Sequence, residues 1–347
     1  MARMENPAIN RSTWLLAAIL AVISCAGAAS AQVSSPCNSI PHLDHPHVIL
    51  SRGALRVVVF LPDAENGYYR AERFDWSAVI GCASYRGHTY WGQWFRHYDP
   101  LVNDSITGPV EEFRPADGAQ GYDEVQAGGL FVKIGVGVLR KVADVPYKFG
   151  NSYPIVDGGQ WKVRAGRDSV VFQQRLVLAG STSYLYTKRL VLGRKGDSLK
   201  LEHTLKNLGA RPLVTDVYDH DFYMLDGRPT GPGFVVHFPF APKPATPLEP
   251  DAAVQGNDIV YLRELGPGAT VASYLTGYDN RASGYSLSLR NTQLHVGIEQ
   301  KANVPLSRLY LWSIRTTICP EAYVHLDIPP GRSGRWTIEY RFLAPDR

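Results

Sequence analysis

The stretch TDVYDHDFYMLDGRPTGP, Thr215–Pro232, sets His220 between Asp219 and Asp221 and follows the imidazole with Phe222 and Tyr223. An imidazole titrates near neutrality, so it can give or take a proton, and an adjacent carboxylate favours its charged form. The same pattern also fits a strand-end histidine hydrogen-bonded to Asp219, because structural networks perturb titratable groups too. A second concentration of chemistry lies upstream. NGYYRAERFDWSAVIG, Asn66–Gly81, and GHTYWGQWF, Gly87–Phe95, interleave aromatic rings with arginine and acid. Aromatic faces stack on the apolar faces of sugar rings, and guanidinium and carboxylate groups bridge hydroxyls. Any one of Trp76, Trp91 and Trp94 taken alone reads as a core anchor; their grouping with polar partners points to a ligand surface.

Other chemistries find little support. HLDHPH, His42–His47, offers metal donors, but Pro46 interrupts it and no second cluster completes a coordination sphere, so it reads as a surface arm and no metal is expected. The glycines of IGVGVLRK lack a third partner and a following helix, which removes a dinucleotide site. The chain has no G-x-S-x-G nucleophile pattern.

The elements that must position these residues are strands. Period-2 apolar segments begin at Ala54, Ser77, Leu130, Ser169, Tyr184, Ser198, Gly233, Ala269, Tyr285, Leu294, Arg308, Ala322 and Arg335. Gly, Pro, Asn and Asp fill the gaps, and no helical stripe of ten or more residues separates the strands. Short spacing without crossover helices predicts antiparallel sheets packed face to face, an all-β chain forming one large sandwich over 51–347.

The 347 residues are 45% hydrophobic and 20% charged with a formal net charge of +4, enough chain for a large core. No block of Lys or Arg marks a nucleic-acid or anionic-membrane partner. Arg3 and Arg11 precede the apolar run from Trp14 to Ile23, and ASA at Ala29–Ala31 stands before Gln32. That order reads as a secretory signal peptide over 1–31, too short for a transmembrane span, followed by an arm over 32–50. VISC, Val22–Cys25, allows a rival reading in which Cys25 is lipidated; both place the mature protein outside the cytoplasm, periplasmic or secreted. Cys37, Cys82 and Cys319 then permit one disulfide and one free thiol, with the pairing open.

SLKLEHTLKNLGARPLVTDVYDHDFY resembles the central segment of the aldose 1-epimerase (galactose mutarotase-like) family. Asn207-Leu208-Gly209 matches the family's N-x-G turn, and His220-Asp221-Phe222-Tyr223 resembles its H-x-Y-F. LYLWSIRTTICPEAYVHLDIPPGRSGRWTIEYRF is similar to the closing segment in which a strand delivers a glutamate before a P-G turn and a last aromatic strand. The upstream HGG histidine and GRYANRI-type arginine motif are missing, as is a clean E-T-Q-x-x-P-D. The resemblance implies a large antiparallel β-supersandwich and an enzyme that interconverts sugar anomers by opening and reclosing the ring, with no metal or nucleotide cofactor. It implies His220 as acid and Glu321 as base, with Glu299 in VGIEQK as an alternative base. Glu321 also fits a plain exposed glutamate at a strand start. Arg73 and Arg315 would clamp hydroxyls, and Trp76, Tyr223 and Trp312 would bind or stack on a mono- or oligosaccharide.

Two further readings suit the same sandwich, since one fold hosts several activities. A non-catalytic carbohydrate-binding protein would keep the aromatic groove alone. A polysaccharide lyase-type enzyme would draft Tyr218, His220 and Arg228. Nothing in the sequence sets the oligomeric state.

Overall fold

Residues 35–345, except 117, are described by the computed structural model, and their regular elements are strands apart from two short 3-10 turns. The expected signal peptide over 1–31 and Cys25 lie outside the described residues. Alternation is plainest in Tyr184–Leu192, where every second side chain is buried. Such a strand presents one face to a core and the other to solvent.

Every strand pairing is antiparallel. The largest sheet has ten strands, in the order Ala252–Gln255, Asp258–Tyr261, Phe234–His237, Ser286–Asn291, Val296–Ala302, Ser333–Leu343, Ser198–Asn207, Tyr184–Leu192, Ser169–Leu176 and Gln160–Ala165. A six-stranded sheet follows the order Lys243–Pro244, Val271–Thr276, Arg308–Ile314, Thr317–Ile328, Leu213–His220 and Val110–Arg114. Leucine, isoleucine, valine and aromatic side chains from both, among them Leu201, Val217, Leu311, Val324 and Trp336, share one continuous core. A four-stranded sheet (His47–Arg52, Leu55–Phe60, Val79–Tyr85, His88–Trp91) and a three-stranded one complete the fold. The expected β-sandwich is the observed architecture.

Two expectations shift in detail. The run from Leu130 is a hairpin, not one strand: Leu130–Lys133 and Gly137–Arg140 pair around a turn at Gly135. Gly135 has φ +83°, and a Cβ there would meet the Asp75 carboxylate at 2.8 Å, so the turn both requires glycine and seats an acid. Of the arm drawn over 32–50, the described residues, from 35 on, are also part of the fold. The strand His47–Arg52 begins inside it, and a short 3-10 turn, Pro36–Ser39, is fastened by a Cys37–Cys82 disulfide to the strand Val79–Tyr85. Cys319 is the free, buried thiol.

A band of charge lies within the core. Lys188 donates to Asp75 at 3.2 Å, to the Ser77 carbonyl at 3.0 Å and to Glu111. Glu111 also meets His203 Nε2 at 2.6 Å, and all four side chains are fully buried. Burial alone would push the Glu111 carboxyl up, but Lys188 and His203 hold it below the usual range. These contacts join strands of the two large sheets.

Candidate active site

The side chains of Leu213–His220 alternate about the six-stranded sheet. Asp219 and Asp221 turn inward, where the Tyr340 hydroxyl donates to Asp219 and to Asp221 at 3.1 Å. Asp216, Tyr218 and His220 turn to the opposite face. Cross-strand register then fills that face. Tyr218 stands beside Glu112 and Tyr323, and Asp216 beside Arg114 and His325. Tyr310 is opposite Glu321, Trp312 opposite Cys319, and Tyr274 opposite Tyr310. Directly opposed residues share a face, so five strands deliver their side chains to one wall.

That wall floors a cavity of about 410 Å³ lined by Arg73, Trp94, Asp104, Arg114, Phe149, His220, Phe222, Tyr274, Tyr310, Trp312, Glu321 and Tyr323. His220 Nε2 lies 3.4 Å from Glu321 Oε1, and the two side chains are 5% and 7% exposed. Phe222 stacks on the imidazole at 3.8 Å, Trp94 stacks on Phe222 at 4.7 Å, and Trp312 meets the imidazole edge-on at 5.5 Å. The Tyr323 hydroxyl donates to Glu321 Oε2 at 3.1 Å. The backbone of the loop before Val110 closes against the strand end: a Cβ on Gly108 would sit 2.6 Å from the His220 carbonyl oxygen, so only glycine allows this approach.

Burial sets the electrostatics. It holds His220 well below its ordinary value, and nearby Arg73 acts in the same direction. Burial raises the Glu321 carboxyl to about 7, against the opposing pull of Arg73 and Tyr323. Burial thus favours the uncharged form of both groups, the neutral imidazole and the protonated carboxyl, the state in which Glu321 is the donor and His220 the acceptor. The expected assistance from Asp219 and Asp221 is corrected: both face the other way, and burial pushes both carboxyls up, with Glu111 acting on Asp219 and Asp219 on Asp221 in the same direction.

Arg73 lines the cavity as a braced pillar. Its Nε donates to Glu112 at 2.9 Å, Nη1 to Asp104 at 2.5 Å and Nη2 to Tyr218 at 3.2 Å. Three of the five guanidinium N–H groups are thus engaged and two remain. Lys133 donates to the other Glu112 oxygen at 2.9 Å.

The structure brings Arg73, His220, Trp312 and Glu321 together and leaves four candidates elsewhere. Trp76 is a core residue whose indole N–H donates to the Ala71 carbonyl at 2.8 Å. Tyr223 is buried on the inner side, with its hydroxyl on Gln300 at 3.0 Å. Arg315 occupies a strand-connecting turn and pairs with Glu264 outside the cavity. Glu299 belongs to the ten-stranded sheet and faces Arg290 at 3.6 Å and Arg341 at 3.8 Å, so it is not beside His220. Glu321 is neither exposed nor at a strand start: the strand runs Thr317–Ile328, with Pro320 opposite Leu311. Nor is the set Tyr218, His220 and Arg228 assembled, because Tyr218 is buried against Glu112 and Arg73 while Arg228 is exposed outside the cavity.

Of the tryptophans grouped as a ligand surface, Trp94 lines the cavity, whereas sequence reasoning missed Arg114, Asp104, Phe149, Phe222, Tyr274, Tyr310 and Tyr323 as lining residues. For Tyr310 and Tyr323 a signal existed, since each is two positions from a residue already singled out, Trp312 or Glu321, and shares its face. In the arm, His42, Asp44 and His45 bring donor atoms within 4.8 Å of one another. The two ring nitrogens of His45 meet the Asn66 carbonyl at 2.8 Å and the Tyr98 hydroxyl at 2.9 Å.

No family model matches the chain, and no curated protein does. Solved structures do. A putative aldose 1-epimerase from Escherichia coli K12 superposes with a TM-score of 0.53 at 14% identity, covering 85% of this chain and 98% of that one. A galactose mutarotase-like protein from Clostridium acetobutylicum gives 0.53 at 12% identity, over 88% and 97%. An aldose epimerase homologue from C. elegans gives 0.54 at 11% identity, over 86% and 100%. Identities this low establish a shared fold and leave the chemistry to the side chains of this chain.

Proposed function

We propose that this chain, whose fold is the galactose mutarotase-like β-sandwich, is an aldose 1-epimerase-like enzyme that opens and recloses a sugar ring with His220 and Glu321. The reading rests on one observation: the imidazole and the carboxyl lie 3.4 Å apart on the floor of an aromatic-walled cavity. Ring opening needs a proton delivered to the ring oxygen and another taken from the anomeric hydroxyl. Both oxygens hang from one carbon, so two adjacent groups on one wall can serve both. Protonated Glu321 gives its proton to the ring oxygen as the C1–O bond breaks. Neutral His220 takes the hydroxyl proton as C1=O forms. Rotation about C1–C2 turns the other carbonyl face to the pair, and reclosure runs the transfers backwards. The starting roles are thus the reverse of His220 as acid and Glu321 as base.

Trp312 offers a stacking face and Arg73 two spare donors to sugar hydroxyls. The protein acts outside the cytoplasm in this reading. The Cys37–Cys82 disulfide suits an oxidising compartment, and among the described residues no helix is long and apolar enough to cross a membrane.

Exchange of fresh α-glucose, α-galactose and α-uronic acids, followed by NMR with and without protein, tests the assignment. Acceleration that is lost in His220→Ala and in Glu321→Gln upholds it. Sugar binding at the background rate of exchange leaves only a carbohydrate-binding protein. Growth of unsaturated-uronate absorbance from a polysaccharide replaces it with a lyase.

A further inference from the structure

Charge around the cavity is nearly balanced. Arg73 and Lys133 are matched by Glu112 and Asp104. At the rim, Arg308 lies over the Tyr323 ring at 3.9 Å and pairs with Asp216 at 3.4 Å. One cation is left without a direct partner. Arg114 lines the cavity and is half-buried, yet it makes no hydrogen bond or ion pair with any described residue; the Phe149 ring lies at 6.0 Å, and Glu112 acts on its charge only at longer range. The acid directly across from it, Asp216, is turned to His325 at 2.8 Å and to Arg308. Glu112, two positions away on the same face, is saturated by Arg73, Lys133 and Tyr218.

A half-buried guanidinium with no carboxylate directly paired to it keeps its N–H donors free for a ligand that brings a negative charge. We propose that the cavity takes a sugar bearing a negative substituent, with the carboxylate of a uronic acid as the matching form, and that Arg114 is the residue that recognises it. This rests on the reading of His220 and Glu321 as the reacting pair. Arg114 stands opposite Asp216, four residues along the strand from His220, so their Cα atoms are roughly 13 Å apart at the usual rise of a strand. Arg114 and the pair line the same cavity of about 410 Å³, large enough for a monosaccharide. The planar fork of a guanidinium pairs two N–H groups with the two oxygens of a carboxylate. A single spare positive charge balances a monoanion, whereas a phosphate monoester carries nearly two negative charges.

The experiment is anomer exchange by NMR on the full chain with glucuronate, galacturonate, glucose, galactose and glucose 6-phosphate. The uronates are expected to exceed the neutral sugars in kcat/KM at least tenfold. Arg114→Gln should cut the uronate-to-neutral ratio at least tenfold, chiefly through KM, and Arg114→Lys should restore part of it. Equal turnover of neutral and acidic sugars, or an unchanged ratio in Arg114→Gln, overturns the proposal while the acid–base reading stands. Preference for glucose 6-phosphate over both uronates transfers the site to phosphate esters and overturns the carboxylate form. With no turnover of any sugar, calorimetry decides: glucuronate binding that exceeds glucose binding and weakens in Arg114→Gln upholds charge recognition although the enzyme reading fails. Absence of that difference overturns it.

Discussion

Nε2 of His220 stands 3.4 Å from Oε1 of Glu321, and both belong to neighbouring antiparallel strands whose register continues from Asp219 opposite Ala322. Regular strand pairing alone brings together two groups far apart in the chain. Removing either should therefore be severe without disturbing the sheet. His220→Ala and Glu321→Gln are each expected to lower kcat/KM for anomer exchange by about 10²–10⁴-fold, the usual worth of a positioned acid or base. The double variant should be little worse than either single one, since the two act on one proton relay. Near-equal rates for wild type and both variants would remove the pair from the mechanism.

The pH profile carries a definite sign. Glu321, raised to about 7 by burial, loses its proton as pH climbs, so kcat/KM should fall as pH rises through about 7. His220 is held well below its ordinary value, so the acid limb lies well below pH 6.5. Glu321→Gln should abolish the alkaline limb in whatever activity remains. Stability follows the same logic. The raised Glu321 favours the folded state fully below its unfolded value near 4.5 and loses that contribution as pH rises through about 7. A denaturant titration series across that window, wild type against Glu321→Gln, measures the difference.

Lys188 is enclosed with Asp75 and Glu111 and donates to both. Lys188→Met leaves two buried acids without their cation and should cost about 3–5 kcal/mol of unfolding free energy, read by urea denaturation. A loss below about 1 kcal/mol would mean that the carboxyls simply take up protons.

The Cys37–Cys82 bridge closes a separation of 45 residues. By the chain-entropy relation such a crosslink is worth roughly 4 kcal/mol, so Cys37→Ser should be destabilised by up to that amount and wild type should fall to match it under reducing conditions. An equal midpoint with and without reductant would show that the 3-10 turn is held by packing alone.

Much of this was legible beforehand, for reasons that differ by residue. Period-2 burial made the strands visible, and His220 stood out because an ionisable ring ended one of them. Trp76 and Tyr223 misled because aromatic-polar clustering marks a buried hydrogen-bonded core as readily as a sugar platform; the indole N–H and the phenol both found partners inside. Glu299 misled because nearness in the chain to one strand says nothing about which sheet that strand joins. Arg114 was silent: GPVEEF, Gly108–Phe113, just before it carried no strand signal long enough to count, and the want of a direct partner is a property of the neighbourhood. The hairpin turn at Gly135 was hidden inside a run, LFVKIGVGVL, broken only by Lys133 and the glycines.

The strand that ends in His220 is chemically two-sided, with the acids of the interior interleaved among the residues that face the cavity. Adding or deleting a single residue there would turn it inside out, sending the imidazole into the core and an interior carboxyl to the ligand. Adaptation to new sugars along this strand is thus confined to exchanges of one side chain for another. Length variation is left to the surrounding connections, such as the two separate segments that carry Asp104 and Phe149.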